Sequence, residues 1–341
     1  MKNRASTSLR LLAVAAALPL AKAGEPIEQP NRISFAPRLG FNVKASFRSS
    51  LASTGANPGP AAGGGLDRIY DDGYVKLDSS GNAGGQTWNW GYENAGQIDP
   101  VAGTLALSAV AGSDPAVVNG VDDDPLVGGE LTYTRYLFEF GHANWGFEIG
   151  GTYTPVSISD DSTLSANANL VRDLYNLGGI TPPAAPYHGT FAGPGPVIGD
   201  SPTRTATTEA VTFSGNRKIE SSVFGIRLGP NLDIPMGDPL SLQLSGGLYM
   251  QYADSKFTYS ETATLAGGTT QLQSGSVSQQ DWVVGGYVRG QLTVALSRSV
   301  EIFAGAEYVF SDQINLGTPT HQATLDLDGA AYGMAGLAFK F

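Results

Sequence analysis

Residues alternate in kind along the last strand-length of the chain: Ala335, Leu337, Phe339 and Phe341 take one parity, Met334, Gly336, Ala338 and Lys340 the other. A period of two puts alternate side chains on opposite faces of a β-strand. The same alternation recurs in residues 33–47, 131–140, 145–154, 222–234, 240–253, 282–296 and 300–310, and the last segment extends back to Leu325. In residues 282–296, for example, Trp282, Val284, Val288, Leu292, Val294 and Leu296 oppose Tyr287, Arg289, Gln291 and Thr293. Few folds can cover that many long strands, each with one wholly apolar face.

The connections narrow the choice. Segments two and three are joined around His142-Ala143-Asn144, four and five by "PMGDP", six and seven by "SRS". The others are long: 48–129, 157–217, 254–280 and 311–322. Short and long alternate, which predicts an all-β, closed antiparallel up-and-down barrel with tight turns at one end. The layout predicts eight strands. The alternative is ten to twelve, with ten if the alternating stretches 104–112 and 205–213 both cross.

One phase of the strands collects the charges: Arg38, Lys44, Arg135, Glu139, Glu148, Arg227, Asp233, Arg289, Glu301 and Glu307. The other collects large apolar side chains, with aromatics toward its ends. A soluble barrel would turn the apolar phase inward. Aromatics at strand ends, and small residues beside charges of both signs, favour lipid outside and a charge-paired lumen. Counting outward from the turn between segments six and seven, residue i faces roughly 597 − i. Arg289 then lies one position from Glu307, which predicts an Arg289–Glu307 pair shared with Arg227 or Glu301.

The first 23 residues carry Lys2, Arg4 and Arg10, an apolar run from Leu11 to Leu20, and Ala21-Lys22-Ala23, the order of a cleaved secretory signal. Residues 24–31 then form a short periplasmic segment, and residues 32–341 one barrel. There is no cysteine, so disulfides and cysteine-ligated metals are excluded. An excess of acid, 31 Asp and Glu against 20 Lys and Arg, argues against nucleic-acid binding.

With its leader, strand-and-turn layout and aromatic terminus, the chain resembles bacterial outer-membrane β-barrels of the small type typified by OmpA, OmpX and OmpW. The resemblance implies localisation in the outer membrane, with lipid and lipopolysaccharide around the barrel. It also implies that Leu337, Phe339 and Phe341 are read by the barrel-assembly machinery as an insertion signal.

The loops are where function is sought. Asp71, Asp72 and Asp78 are grouped oxygens beside glycine, weak candidates for Ca²⁺, and their plainer role is a solvated acidic surface. Trp88, Trp90 and Tyr92 share a face and are possible ligand contacts; packing the loop is the plainer role. Leu164, Ala168, Val171, Leu174 and Leu177 fall at helical spacing. His142, His188 and His321 are the only histidines. No cofactor is implied. The sequence favours a non-enzymatic barrel whose lumen is filled and whose loops act as a structural or adhesion-like surface. A small channel is the alternative, and a lipid-modifying hydrolase at the rim a second. The extracellular ligand is not specified.

Overall fold

The structure is a computed structural model that describes residues 28–341; the leader 1–23 and residues 24–27 of the segment 24–31 lie outside the described residues. Strands β1 (Asn31–Phe41), β2 (Leu126–Phe140), β3 (Ala143–Asp160), β4 (Thr203–Gly237), β5 (Leu240–Leu265), β6 (Thr270–Ala295), β7 (Val300–Phe310) and β8 (Ala331–Lys340) pair in succession, all antiparallel. The β1–β8 pairing closes the ring. Toward the turn end, closure leaves no strand edge exposed among the described residues, which a wall lying in hydrocarbon requires.

The lengths depart from expectation. The segments 157–217 and 254–280, expected to be loops, are largely strand. β4 runs for 35 residues and β5 and β6 for 26 each, where about 9–11 suffice to cross a bilayer. The stretch at 164–177, expected to be helical, is the strand Leu164–Asn176, paired along its length with the upper part of β4. Leu164 and Ala168 are four apart, a spacing that period two satisfies as well as period 3.6. Thr104–Ser113 pairs with Leu164–Asn176 and lies outside the ring, and residues 205–213 are the far end of β4. Lys44–Ser49, Ala116–Val121, Gln313–Gly317 and His321–Asp326 form a separate four-stranded sheet over the ring.

The barrel therefore has two storeys. Tyr153, Phe224, Tyr252 and Trp282 are direct cross-strand partners on four adjacent strands. Their rings meet in two pairs, with centres 4.8 Å apart for Tyr153–Phe224 and 5.2 Å for Tyr252–Trp282. Below this aromatic row the wall exposes Phe147, Ile149, Ile226, Leu228, Leu248, Val288, Leu292, Ile302 and Leu337. Ten residues separate Phe224 from Ile234 near the turn end, a rise of about 25 Å for a tilted strand, which matches the apolar band of a membrane barrel.

Above the row the two faces exchange character. The inward face, charged below, becomes apolar: Val156, Ile158, Ile219, Val223, Ala253, Phe257 and Val283 are buried in one core with Val43, Ala45, Phe47 and Leu325 of the covering sheet. The outward face becomes polar, with Ser157, Glu220, Asp254, Lys256 and Ser278 exposed. A second cluster around Trp90, Leu105, Leu107 and Tyr175 forms an outer lobe from residues 68–107 and 175–198.

This exchange fixes a contrast in substitution costs. Val288→Arg or Leu244→Arg, on the lower wall, should cost about 2–4 kcal/mol near the bilayer midplane. Ser278→Arg, at the same facing but above the aromatic row, should cost less than about 0.5 kcal/mol. Folding titrations into lipid vesicles measure both; equal costs would mean that the wall meets the same medium at both heights.

Candidate functional site

Among the described residues, a buried polar network occupies the inside of the lower storey. Its centre holds Arg38, Arg227 and Arg289 against Glu130, Glu148 and Glu307, so the charges balance. Glu307 receives Arg38 Nη2 at 2.9 Å on one oxygen and Arg227 on the other. Arg227 also reaches Glu130 at 3.2 Å and Glu148 at 3.6 Å. The second oxygen of Glu130 accepts from Arg289 Nη2 at 2.7 Å. Glu148 is held further by Tyr287 and Ser245, each 2.9 Å away, and by Asn231 at 3.0 Å.

Aromatic rings close what the charges leave. The Arg38 guanidinium lies 3.6 Å from the centre of the Tyr332 ring, a cation–π contact in a dry setting. Gly150 makes room for Arg227, since a Cβ there would come within 2.6 Å of its Nε. Toward the turn end, Glu301 binds Arg32 at 3.0 Å and Lys340 on its other oxygen. Gln291, Gln243 and Tyr136 continue as a hydrogen-bonded chain.

Seven of the charges expected inside are buried there: Arg38, Glu148, Arg227, Asp233, Arg289, Glu301 and Glu307. Arg135 and Glu139 are not: Arg135, opposite Phe147, is exposed on the outer wall, and Glu139, opposite Asn144, keeps the lumen phase but is exposed at the turn end. For Arg135 the cause is a bulge in β2, where the register with β3 slips between Tyr136 and Phe138. Reading the phase back from Phe138 and Phe140 carries it across the slip and inverts it. Thr132, Thr134 and Tyr136 are the buried residues instead. The predicted Arg289–Glu307 pair also needs correction. The two are direct cross-strand partners, one residue off the register expected. Yet Arg289 bonds Glu130 across the lumen, and Glu307 is occupied by Arg38 and Arg227. Glu130 and Arg32 are partners that strand-by-strand reading misses, because each stands just outside the alternating segment assigned to it. Their parity with Thr132 and Ser34 is the signal that places them inside.

A second ionic layer lies in the upper storey. Arg217 pairs with Asp160 at 2.6 Å and with Glu261 at 2.5 Å. His321 stacks on Tyr259 at 3.9 Å between ring centres, and its Nε2 lies 3.8 Å from Glu261. Burial, aided by Arg217, pushes His321 down to about 4, so it is neutral at ordinary pH. His188 belongs to the outer lobe, exposed and stacked on Tyr74, and His142 sits in the turn between β2 and β3. The three histidines thus occupy three separate environments.

The loop candidates are structural. Asp71 and Asp72 accept from the backbone N–H of Val110 and Ser108, at 2.8 and 2.7 Å, and so clip the loop to the strand Thr104–Ser113. Asp78 folds onto its own turn, accepting from Ser80 and Asn82, and these hydrogen bonds hold its carboxyl below the usual range despite burial. The three do not converge on one point for a cation. Trp90 and Tyr92 are buried in the outer-lobe core, their polar atoms bonded to the carbonyls of Pro196 and Pro183. Only Trp88 of the three remains half-exposed.

No family model matches the sequence, and no curated protein does. Among solved structures, the chain is similar to Ail, the attachment invasion locus protein of Yersinia pestis, at 11% identity and a TM-score of 0.28, covering 92% of this chain and 100% of that one. It is similar to the outer membrane protease OmpT of Escherichia coli at 9% identity and a TM-score of 0.30, covering 93% and 99%. The outer membrane protein OprG of Pseudomonas aeruginosa matches at 13% identity and a TM-score of 0.29, covering 92% and 97%. Likeness at this level carries no argument about what the chain does.

Two outcomes follow from the geometry. Removing one member of the buried network, as in Arg227→Met or Glu307→Gln, should cost about 3–5 kcal/mol by stranding its partners. In a double-mutant cycle on denaturant unfolding these two should couple by about 0.5–3 kcal/mol, and Arg289→Met with Glu130→Gln likewise. Arg289→Met with Glu307→Gln should couple least. In the outer lobe, burial raises the Asp72 carboxyl to about 6 against the Ser108 hydrogen bond. A raised acid makes the docked state bind its proton more tightly than the open state, so docking is strongest near pH 4 and weakens as pH rises through 6. Hydrogen-exchange protection of the Ser108 and Val110 amides, corrected for intrinsic rates, should fall several-fold between pH 5 and 7.5. Asp72→Asn should flatten that slope.

Proposed function

We propose that the protein is a bacterial outer-membrane barrel that does not conduct, and that it holds a rigid polar platform above the membrane for contacts with other surfaces or molecules. The reading rests on the filled interior: a charge-balanced plug within the apolar band, then an apolar core above it. A hydrated ion meeting this barrel would have to displace paired side chains and then cross a packed layer around Phe47, Phe257 and Val309. Lipid and lipopolysaccharide are the partners proposed for the lower wall, and the assembly machinery for insertion through Leu337, Phe339 and Phe341, which all face outward.

The same features weigh against the two rivals. A channel needs a continuous wet path, and the two packed layers stand across it. A rim hydrolase needs a histidine beside a nucleophile and an orienting acid. His321, the one histidine near a buried acid, is enclosed by Tyr259 and Glu261.

Reconstitution into planar bilayers tests the proposal. The purified protein should give no steady current at moderate voltage, and the Arg227→Met variant should give none either, since the upper core remains. A steady, reproducible conductance from the wild-type protein would overturn the proposal in favour of transport.

A further inference from the structure

The ring of the upper storey is not closed. β6 pairs with β5 along its whole length, to Thr264↔Thr270, but with β7 only from Ala295 to Gly286. At that height β7 ends on Phe310, packed so closely that a Cβ on Gly285 would lie 1.9 Å from the Phe310 carbonyl oxygen. The chain then turns away into Gln313–Gly317, which pairs only with His321–Asp326. Among the described residues, the 270–285 edge of β6 and the outer edge of Gln313–Gly317 thus have no strand partner, and they flank one seam.

A groove of about 490 Å³ lies in that seam, at the height of the aromatic row. Trp282, 64% exposed, and Val284 form its apolar end. Gln279, Asp281, Asp312, Gln313 and Asn315 form its polar end. One oxygen of Asp281 accepts from Gln279 Nε2 at 2.6 Å, and one of Asp312 from the Gln313 backbone at 2.8 Å, which leaves each carboxylate a second oxygen for a ligand.

A long free edge is normally defended. Proteins place lysine, proline or a bulge on it, or cover it, because bare N–H and C=O groups recruit strands. Residues 270–285 contain no lysine, arginine or proline, and Asp281 is their only charge. A second copy in the same membrane fits poorly as the cover. A two-fold axis along the membrane normal would set the two edges parallel, both running from the outer end toward the turns. A separate extended peptide has no such restriction.

We propose that this seam is a docking site for an extended peptide segment of a partner, which adds a strand to the β6 edge and places a basic side chain between Asp281 and Asp312. The backbone edge supplies affinity without regard to sequence, and the two carboxylates supply preference for a cation, the division of labour seen wherever a strand is added to a sheet edge. Seven extended residues span about 23 Å, enough to follow the edge from the groove toward Thr270. This inference deepens the surface-contact reading and rests on it. Peptide binding is measured on barrels whether or not they conduct, so the two readings fail separately.

The test uses the full-length protein in lipid nanodiscs. The probe is a synthetic heptapeptide of alternating threonine and valine with one central arginine. Binding should protect amides of residues 270–285 from hydrogen exchange and shift the Trp282 fluorescence. Asp281→Asn with Asp312→Asn should weaken the arginine peptide about tenfold, the loss of a charge-assisted contact, and leave a glutamine-centred peptide unchanged. A peptide N-methylated at alternate positions should not bind, because the added strand needs its N–H groups. The proposal falls if no edge amide is protected at millimolar peptide, or if the N-methylated peptide binds equally well. It also falls if phosphorylethanolamine shifts Trp282 while the peptide does not, since the groove would then belong to lipid headgroups.

Discussion

What touches the outer wall decides the rest. A strand has two faces, and the medium outside chooses which face carries the apolar side chains. Below the row Tyr153, Phe224, Tyr252 and Trp282 the wall is apolar, so the polar phase has nowhere to go but inward. Above the row the wall is polar and the apolar phase becomes a core. One continuous set of strands meets both conditions, with β4, β5 and β6 carrying the same parity inward throughout. The charged plug and the apolar upper core are the two answers to one boundary.

Packing charges inside a barrel is costly unless each is matched, and matching here is collective. No arginine of the central plug has a private partner: Glu307 serves two, and Arg227 touches three glutamates. Such sharing satisfies many donors with few acceptors, and it also ties β1, β2, β3, β4, β6 and β7 to one another across the lumen. The tyrosines at 249, 287 and 332 contribute flat apolar area beside the guanidinium groups, and the hydroxyls of Tyr249 and Tyr287 bond within the polar layer.

The strands and their tight turns were legible because period two survives in each segment. The storeys were not, and β1 shows why. Ile33, Phe35, Leu39 and Phe41 face outward, whereas Val43, Ala45 and Phe47 face inward, all on odd numbers. Asn42, at a φ of 63°, reverses the facing at the height where the medium also changes. The two reversals cancel, so the pattern reads as one uninterrupted strand. Gly329, at 73°, does the same between Leu327 and Leu337. The bulge in β2 misleads in the opposite sense, since it breaks the phase with no turn residue to mark it. The cross-lumen partners were out of reach for another reason: adjacency in the ring can be counted from turns, but contact across it depends on which long side chains meet at one height.

The unbroken passage of β4 from the turns to the outer lobe also limits how the chain can change length. Each residue added to one of these strands raises everything beyond it by about 3.4 Å and turns it over to the opposite face. An odd change near residue 220 would send Val211, Phe213 and Arg217 to the water side and bring their neighbours into the core. An even change would keep every facing and only lift or lower the lobe. Between membrane and lobe, then, insertions and deletions are admissible in pairs, and the height of the platform is quantised in steps of about 7 Å along the strand.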